Sequence, residues 1–273
     1  MKTVFINGSP KKRFSVSDYF GKLQSIFIKG EKVFLRLRTK NDHKKIFEQI
    51  INADIVIFLI PLYVDCVPSH ILSFLREMER FCKEYKIKLK IYAIANNGFI
   101  EGKQNAALFR VMENFCTRSD LLWRGGIGIG GGVMFNALKV VLMIECGIFL
   151  LSVFISGILY ANWVPIDAIQ SFLFALLVIF FLHAGAIFDM MKMGMSVNKG
   201  AAFGEKYTRI LLPSFLFILI ADVFFIIVSL FKGGLFKGWL QRKDPEFRQV
   251  DAAEGNRGTV GRSRIWSIRR RPH

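Results

Sequence analysis

The feature of this sequence that most restricts its fold is an uninterrupted apolar run, Ile55–Ile60, which ends at Pro61. A strand that is apolar on both faces must lie in a sheet whose two faces are both covered, as central strands of parallel sheets do. Apolar residues at helical spacing separate this run from other strand-like segments on either side. The first half of the chain therefore alternates strands with helices, which predicts an α/β domain.

We expect a doubly wound, five-stranded parallel sheet over residues 1–135, because right-handed βαβ units of this length build such a sheet. The predicted strands are Thr3–Asn7, Lys32–Leu37, Ile55–Leu62, Leu89–Ala95 and Leu121–Gly128. The predicted helices are Ser17–Ile28, Asp42–Asn52, Ser69–Tyr85 and Lys103–Thr117. Such sheets bind ligands outside the carboxyl ends of their strands, where the strand order switches. The loops after strands one, three and four are therefore the candidate binding loops.

The first of these loops, Gly8-Ser9-Pro10-Lys11, combines a tight turn with a hydroxyl group and a cation. It leads into an amphipathic helix, whose N-terminus offers unpaired N–H groups and the positive end of the helix dipole. Ser15 and Ser17 add hydroxyl groups, so the loop suits a phosphate monoester. An ordinary βα loop with a serine N-cap has the same composition, and the loop by itself leaves both interpretations open.

The other two loops carry aromatic rings and amide groups. Pro61-Leu62-Tyr63-Val64, followed by Pro68, is a stiff segment that presents a tyrosine ring at the sheet edge. Asn96-Asn97-Gly98-Phe99 offers side-chain amides, backbone N–H groups and a second ring. Proline and Asn-Gly are also common in simple turns. Three loops with fitting chemistry at one sheet edge nevertheless favour a binding site there.

These loops, with Trp123 and the glycine run after it, resemble those of the flavodoxin-like NAD(P)H-dependent FMN reductases and quinone reductases. The resemblance covers about residues 1–135. It implies that the first loop holds the FMN phosphate and that the second and third flank the isoalloxazine ring. The cofactor-binding residues it implies are Ser9, Pro10, Lys11, Ser15, Ser17, Pro61, Leu62, Tyr63, Val64, Asn96, Asn97, Gly98 and Phe99.

The sequence departs from that family in two ways. Basic residues, Lys12-Arg13, stand in the phosphate loop, and a soluble fifth helix, which normally covers one face of the sheet, is absent. Dimerisation, or docking against the apolar segment that follows, would then have to cover that face.

The resemblance implies an enzyme that transfers hydride from NAD(P)H to FMN and then reduces a quinone, a free flavin or another acceptor. Because the flavin carries the chemistry, no side chain is expected to act as a general acid or base. The alternative is a non-catalytic module, either an electron shuttle or an interaction domain tethered to a membrane, and fold alone does not choose between them. No nucleic-acid partner is expected.

Other motifs contribute little. Gly126-Ile127-Gly128-Ile129-Gly130-Gly131 has the GxGxxG spacing, but it follows the last predicted strand and no βαβ unit comes after it. We therefore interpret it as a flexible junction or a backbone edge near the flavin. The four cysteines form no CxxC pair, so we expect neither a metal site nor a disulfide framework.

The second half of the chain is apolar. The composition, 52% hydrophobic with a net charge of +17, is too apolar for a soluble domain alone and too charged for a membrane bundle alone. Three transmembrane helices are predicted within residues 136–243, at Val140–Tyr160, Ile166–Phe188 and Ile210–Phe231, because each is long enough to cross ~30 Å of hydrocarbon. Membrane lipid is therefore an expected partner.

Charge predicts the orientation of these spans. No signal peptide precedes the first strand, so the flavin domain is expected on the cytoplasmic side of a multi-pass membrane protein. The connector Asp189–Arg209 carries four cations and suits the same side, which leaves the C-terminus outside. Asp222 would lie near mid-bilayer, either as a polar link between helices or in a proton or quinone role.

Residues 244–273 resemble translated vector sequence; a native basic tail is the alternative.

Overall fold

The computed structural model describes residues 1–11, 15–63, 66–160 and 166–231. The chain divides into two compact units, Met1–Phe217 and Ile218–His273. The elements, in chain order, are β1 (Lys2–Asn7), α1 (Val16–Ile26), β2 (Glu31–Arg36), α2 (Asn41–Ile50), β3 (Ile55–Pro61), α3 (Ser69–Glu84), β4 (Lys90–Asn96), a 3₁₀ turn (Gly102–Asn105), α4 (Ala106–Arg118), β5 (Leu122–Gly130), α5 (Gly132–Tyr160), α6 (Ile166–Lys199), β6 (Gly204–Arg209) and α7 (Ser214–Phe231).

The strands form one parallel sheet in the order β2-β1-β3-β4-β5-β6. The first five follow the order 2-1-3-4-5, which is that of the flavodoxin-like doubly wound fold. The predicted α/β class and parallel sheet are thus confirmed. As expected, every residue of β3 is buried.

The predicted number of five strands is wrong, because β6 adds a sixth. It lies in the predicted polar connector Asp189–Arg209 and pairs with β5 from Gly125↔Gly204 to Gly130↔Arg209. Its sequence, GEKYTR, has no clear apolar alternation because it forms an edge strand that is largely exposed. A strand of this kind carries little signal in its own residues.

The glycine run that precedes the apolar half is part of β5 and not a flexible junction. It is hydrogen-bonded to β4 on one side and to β6 on the other. Glycine is needed where the segment before the 3₁₀ turn crosses this strand: a Cβ at Gly130 would lie 2.2 Å from the carbonyl oxygen of Ile100. The run therefore serves close packing of backbone against backbone.

One face of the sheet carries the larger hydrophobic core, which α2, α3 and α4 cover. Its centre is aromatic: Phe58 and Phe47 both contact the ring of Phe74. Burial of this cluster follows from apolar residues at helical spacing in the three helices.

The opposite face is covered by α1 and by the C-terminal half of α6. The Gln24 side-chain amide donates to the Met190 carbonyl at 3.1 Å, and the Asn198 amide donates to the Phe27 carbonyl at 3.0 Å. The face that lacked a predicted helix is therefore covered partly by the end of the second predicted span and partly by the predicted connector, in which Met190 and Asn198 lie. The predicted end of that helix, Phe188, is eleven residues too early because charged residues interrupt its hydropathy there, while buried residues continue at helical spacing to Val197.

Two helices are long and apolar enough to cross a membrane, at Val140–Ile158 within α5 and at Ile166–Lys199. The third predicted span corresponds to α7, which contains Asp222; in the described chain its apolar stretch, Ser214–Val223, is shorter. Among the described residues, two helices of spanning length thus stand where three were predicted. The predicted vector-like tail, residues 244–273, lies outside the described residues.

Candidate functional site

A cleft opens at the carboxyl ends of β1, β3 and β4, beside the N-terminus of α1. This is the position at which the strand order reverses between β1 and β3, as expected for a ligand site in this fold. The residues that line it are Ser9, Lys11, Val16, Ser17, Pro61, Leu62, Tyr63, Asn96, Asn97, Gly98 and Gly132. Residues from all three predicted loops therefore meet around one cavity.

Asn7, the last residue of β1, organises the first loop. Its side-chain oxygen accepts from the Ser9 N–H at 2.9 Å, and its amide donates to the Ser15 hydroxyl oxygen at 3.3 Å. The same Ser15 oxygen accepts from the Asp18 N–H at 3.0 Å, so Ser15 is the N-cap of α1. The Ser9 oxygen accepts from the Lys11 N–H at 3.4 Å, and no described residue accepts the Ser9 hydroxyl hydrogen.

The first and third loops are joined by a buried hydrogen bond. The Ser17 hydroxyl donates to the side-chain oxygen of Asn96 at 2.9 Å. The neighbouring Asn97 donates through its amide to the Glu101 carbonyl at 3.0 Å, while its side-chain oxygen is buried and has no partner among the described residues. A buried acceptor without a donor costs about 1–3 kcal/mol.

Backbone hydrogen bonds position the tyrosine of the second loop. The Tyr63 and Cys66 backbones exchange two hydrogen bonds, at 3.2 and 2.9 Å, and Leu62 is tied to β4 through the Asn96 carbonyl at 2.7 Å. The Tyr63 ring is 42% exposed at the rim of the cleft. An exposed ring on a hydrogen-bonded backbone is suited to packing against a planar ligand.

Of the thirteen predicted cofactor-binding residues, nine line the cleft and three of the described ones do not. Ser15 is buried behind the loop as the N-cap, and Pro10 and Phe99 are exposed outside the cavity wall. Val64 lies outside the described residues, as do Lys12 and Arg13.

Two features of the site escaped the sequence interpretation. Gly132, the first residue of α5, lines the cleft and donates its N–H to the Asn97 carbonyl at 2.8 Å. A Cβ at this position would lie 2.9 Å from that same oxygen, so a side chain would be crowded here. The glycine run in the sequence was therefore the signal that could have indicated this residue. His70, at the start of α3, supports the first loop from behind: its Nε2 donates to the Gly8 carbonyl at 2.9 Å.

Trp123 does not belong to the site. It lies near the start of β5, opposite Ile91 of β4, and therefore near the amino end of the sheet. Its ring packs against Phe109, with 6.0 Å between ring centroids. Trp123 was counted with the candidate loops in the sequence resemblance, but its position here is explained by packing in the core.

The electrostatic character of the cleft favours an anion. None of the described residues that line it is acidic, and the exposed ammonium group of Lys11 stands at its edge. The N–H groups of Val16 and Ser17 are in the first turn of α1, where helix geometry gives them no intrahelical acceptor. Donors of hydroxyl, ammonium and backbone type fit a phosphate monoester, and Tyr63 with Leu62 fits a flat aromatic group.

Two buried cysteines belong to the core and do not line this cleft. Burial raises the pKa of the Cys82 thiol to about 11. Burial, together with the proximity of Cys82 and Glu113, raises the pKa of Cys116 to about 12. Both thiols therefore remain protonated and unreactive near neutral pH.

Solved structures with similarity to this chain are distant in sequence. A Trp repressor binding protein from Bacillus subtilis is 18% identical over 47% of this chain and 84% of its own, with a TM-score of 0.40. An NADPH-quinone reductase from P. pentosaceus is 15% identical over 48% and 86%, with a TM-score of 0.38. A flavoenzyme NAD(P)H:(acceptor) oxidoreductase from Paracoccus denitrificans is 14% identical over 45% and 74%, with a TM-score of 0.37. No family model and no curated protein matches the sequence.

Proposed function

We propose that this protein is a membrane-anchored flavoprotein oxidoreductase that passes electrons from NAD(P)H through FMN to a quinone or another acceptor. The observation that carries the proposal is the cleft itself. Its lining combines the Ser9 hydroxyl, the Lys11 ammonium group and the N-terminus of α1 with the Tyr63 ring and the backbone of residues 96–98. This combination suits a phosphate joined to a flat, polar-edged ring.

Each part of the cleft has a defined task in this proposal. Ser9 and Lys11 would bind the phosphate through their side chains, and Ser17 through its backbone N–H in the first turn of α1, because its hydroxyl hydrogen is donated to Asn96. Tyr63 would pack against the ring, and the loop that carries Asn97 would face its polar edge. When bound, FMN would accept a hydride and release electrons, and the protein supplies binding and orientation. No side chain is required as a general acid or base.

The two long apolar helices support the membrane part of the proposal. Residues 140–158 would span about 28 Å at 1.5 Å per residue, which is close to the hydrocarbon thickness of a bilayer. We place the flavin domain on the cytoplasmic side, since cations are concentrated near the predicted inner ends of the spans. A lipid-soluble acceptor follows from this location.

The absorption spectrum of the detergent-purified protein tests the proposal. We expect a yellow protein with bound FMN that loses its visible absorbance when NADPH or NADH is added without oxygen. A yellow protein that neither nucleotide bleaches would indicate an electron shuttle and contradict the enzymatic proposal. A colourless protein that takes up no FMN would contradict the flavin assignment altogether.

A further inference from the structure

The two long apolar helices connect to the sheet at the same edge as the cleft. All six strands are parallel, so their carboxyl ends lie at one edge. The chain leaves β5 at Gly130, passes through Gly131 and enters α5 at Gly132, which itself lines the cleft. The first apolar helix therefore starts from the cleft wall.

The second helix returns to this edge and then runs down the sheet face beside α1. His183 lies next to Tyr19 near the start of α1, with 6.1 Å between ring centroids, and Asn198 binds the Phe27 carbonyl at its end. Residues 183–199 therefore cover the sheet, whose strands are about 20 Å long at 3.3 Å per residue. The preceding 17 residues of α6 extend beyond the carboxyl edge by about 25 Å.

In this region α5 and α6 pack against each other. The rings of Phe149 and Phe172 stack with 4.8 Å between centroids. The apolar stretch of α5, Val140–Ile158, is otherwise uncovered within the structure. The part that would enter a bilayer is thus a helical hairpin on the cleft side of the sheet.

We propose that the carboxyl edge of the sheet lies against an anionic phospholipid surface and that the cleft opens at the lipid headgroups. This inference rests on the membrane anchoring in the proposed function. It adds that the acceptor enters the cleft from the bilayer and not from the aqueous solution.

The side chains at this edge have the chemistry of a membrane interface. Four exposed cations follow the strand ends: Lys11, Lys40, Lys103 and Arg209. Two aromatic rings are exposed among them, Tyr63 at 42% and Phe99 at 48%. Aromatic rings concentrate at the headgroup level, and cations are attracted to anionic headgroups.

Among the described residues the acidic groups at this edge are fewer: they are Asp18, which pairs with Lys22 at 3.2 Å, Asp42 and Glu101. Asp42 accepts from the Thr39 N–H at 2.8 Å and the Arg38 N–H at 2.9 Å, and Glu101 is exposed. Burial acts to raise the pKa of Asp42, but the hydrogen bonds from Thr39 and Arg38 outweigh it and lower that pKa. Asp42 is therefore charged but directed to its own loop, and the positive charges remain in excess.

The distance along α5 agrees with headgroup contact. Gly132 and Val140 are separated by eight residues of helix, or about 12 Å. The headgroup layer of one leaflet is about 5–7 Å thick. The cleft therefore lies just outside the headgroups, within reach of a quinone ring on a lipid-soluble tail.

A spin-label experiment on the full chain tests this orientation. Cys66 is exposed at the carboxyl edge, whereas Cys82 and Cys116 are buried. A nitroxide is attached to Cys66 in a Cys146→Ala background, and the protein is reconstituted into vesicles of phosphatidylcholine and phosphatidylglycerol that contain a nickel-chelating lipid. We expect nickel to enhance the relaxation of the nitroxide several-fold more at Cys66 than at the opposite edge of the sheet. The label at the opposite edge is attached to position 88 of the variant Lys88→Cys, Cys66→Ser. Equal enhancement, or a larger one at position 88, would overturn the proposal.

A second comparison tests the charge. Each cation near an anionic surface changes surface association by about fivefold. Lys40→Glu with Lys103→Glu should therefore reduce the enhancement at Cys66, whereas the matched pair Lys32→Glu with Lys88→Glu should leave it unchanged. Vesicles without phosphatidylglycerol should reduce it for the unaltered protein. If neither the first pair of substitutions nor the vesicles without phosphatidylglycerol reduce the enhancement at Cys66, the proposed contact with an anionic surface is wrong.

These measurements need neither FMN nor NAD(P)H. A protein that fails to bind FMN but shows the expected enhancement would contradict the proposed function and support the inference. A protein that reduces quinone but shows equal enhancement at both edges would support the proposed function and contradict the inference. Failure of the protein to enter vesicles would overturn both the anchoring and the inference.

Discussion

Two serines of the same loop differ in what they contact, although their sequence context is similar. Ser15 is buried and caps α1, where it accepts from the Asp18 N–H. Ser9 lines the cleft, and its oxygen accepts only a long hydrogen bond from Lys11, at 3.4 Å. Removal of the Ser15 hydroxyl should therefore cost stability, about 1 kcal/mol for a lost N-cap, as well as loop order. Ser9 is the cleaner probe of phosphate binding.

Ser9→Ala should weaken FMN binding roughly ten- to hundredfold, because a hydrogen bond to a charged group is worth about 1.5–3 kcal/mol. Fluorescence titration of the stripped protein with FMN measures the change. Ser25→Ala in α1 is a matched control, since the Ser25 hydroxyl donates to the Lys22 carbonyl on the exposed side. Equal affinity of the Ser9 variant and the control would show that this loop does not hold the phosphate.

Tyr63→Ala should weaken FMN binding or shift its midpoint potential, because the exposed ring at the cleft rim would no longer pack against the flavin. Tyr63→Phe should have little effect, since it keeps the ring and removes only the hydroxyl group. Affinity, visible spectrum and potential are compared for the two variants. If Tyr63→Ala matches the unaltered protein in all three, the ring does not contact the cofactor.

At the scale of elements, the contact between α1 and α6 determines how the second sheet face is closed. A Cβ at Gly194 would lie 2.5 Å from the Phe27 Cβ and 2.8 Å from its carbonyl oxygen. The two helices therefore approach closely only because residue 194 has no side chain. The link from α6 to β6 is also bound to the sheet, since the Tyr92 hydroxyl donates to the Ala201 carbonyl at 2.6 Å.

Gly194→Ala should lower the free energy of unfolding by about 1–3 kcal/mol, because one helix must shift to admit the methyl group. Thermal unfolding in detergent measures the loss. Gly147→Ala is the control: this residue lies in α5, and a methyl group added there would have no described atom within 4 Å, so stability should be unchanged or slightly higher. Equal transitions for both variants would contradict the close packing of α6 on α1.

Tyr92→Phe should cost about 1 kcal/mol near neutral pH through its lost hydrogen bond. Burial raises the pKa of Tyr92 from 10.0 to about 12, although Arg124 acts to lower it. Unfolded tyrosine ionises near pH 10, so the stabilisation that Tyr92 provides is complete below that pH and is lost as pH approaches 12. Urea unfolding across this range should show the difference between the two proteins shrinking. A constant difference would indicate that the hydroxyl is solvated.

At the scale of the whole molecule, the connection between β5 and β6 contains the apolar hairpin. The two ends of the hairpin meet at the sheet, where the rings of Phe135 and His183 have centroids 4.7 Å apart. The sheet face beneath α6 includes Ile127, Ile129 and Tyr92, which are fully buried. The hairpin is thus an insertion between a strand and the helix that covers that strand.

A chain that ends at Pro213, and in which residues 138–182 are replaced by a short Gly-Ser linker, should be soluble and monomeric and should bind FMN, because it lacks the exposed apolar helix α7 but keeps β6 and the covering half of α6. The fragment 1–135 should aggregate or dimerise, because it leaves an apolar sheet face of several hundred Å² bare. Size-exclusion chromatography and FMN titration compare the two. A soluble, monomeric fragment 1–135 would show that α6 is not needed to cover the sheet.

The positions of the candidate loops could be predicted from sequence because they depend on local patterns and one general rule. Ile55–Ile60 is apolar at every position, so β3 is recognisable as a central strand, and consecutive parallel strands bring their following loops to one edge. Tyr63 and Asn97 were placed at this edge on those grounds, and they line the same cleft.

The remaining features depend on partners that are distant along the chain, and only the tertiary structure decided them. β6 is an exposed edge strand that exists because β5 offers it hydrogen-bonding groups, so its own residues carry little strand signal. The extension of α6 to Lys199 depends on packing against α1, which outweighs the charges that ended the predicted helix. Whether a serine caps a helix or faces the cleft depends on where Asn7 directs its two hydrogen bonds, and that geometry is absent from local sequence.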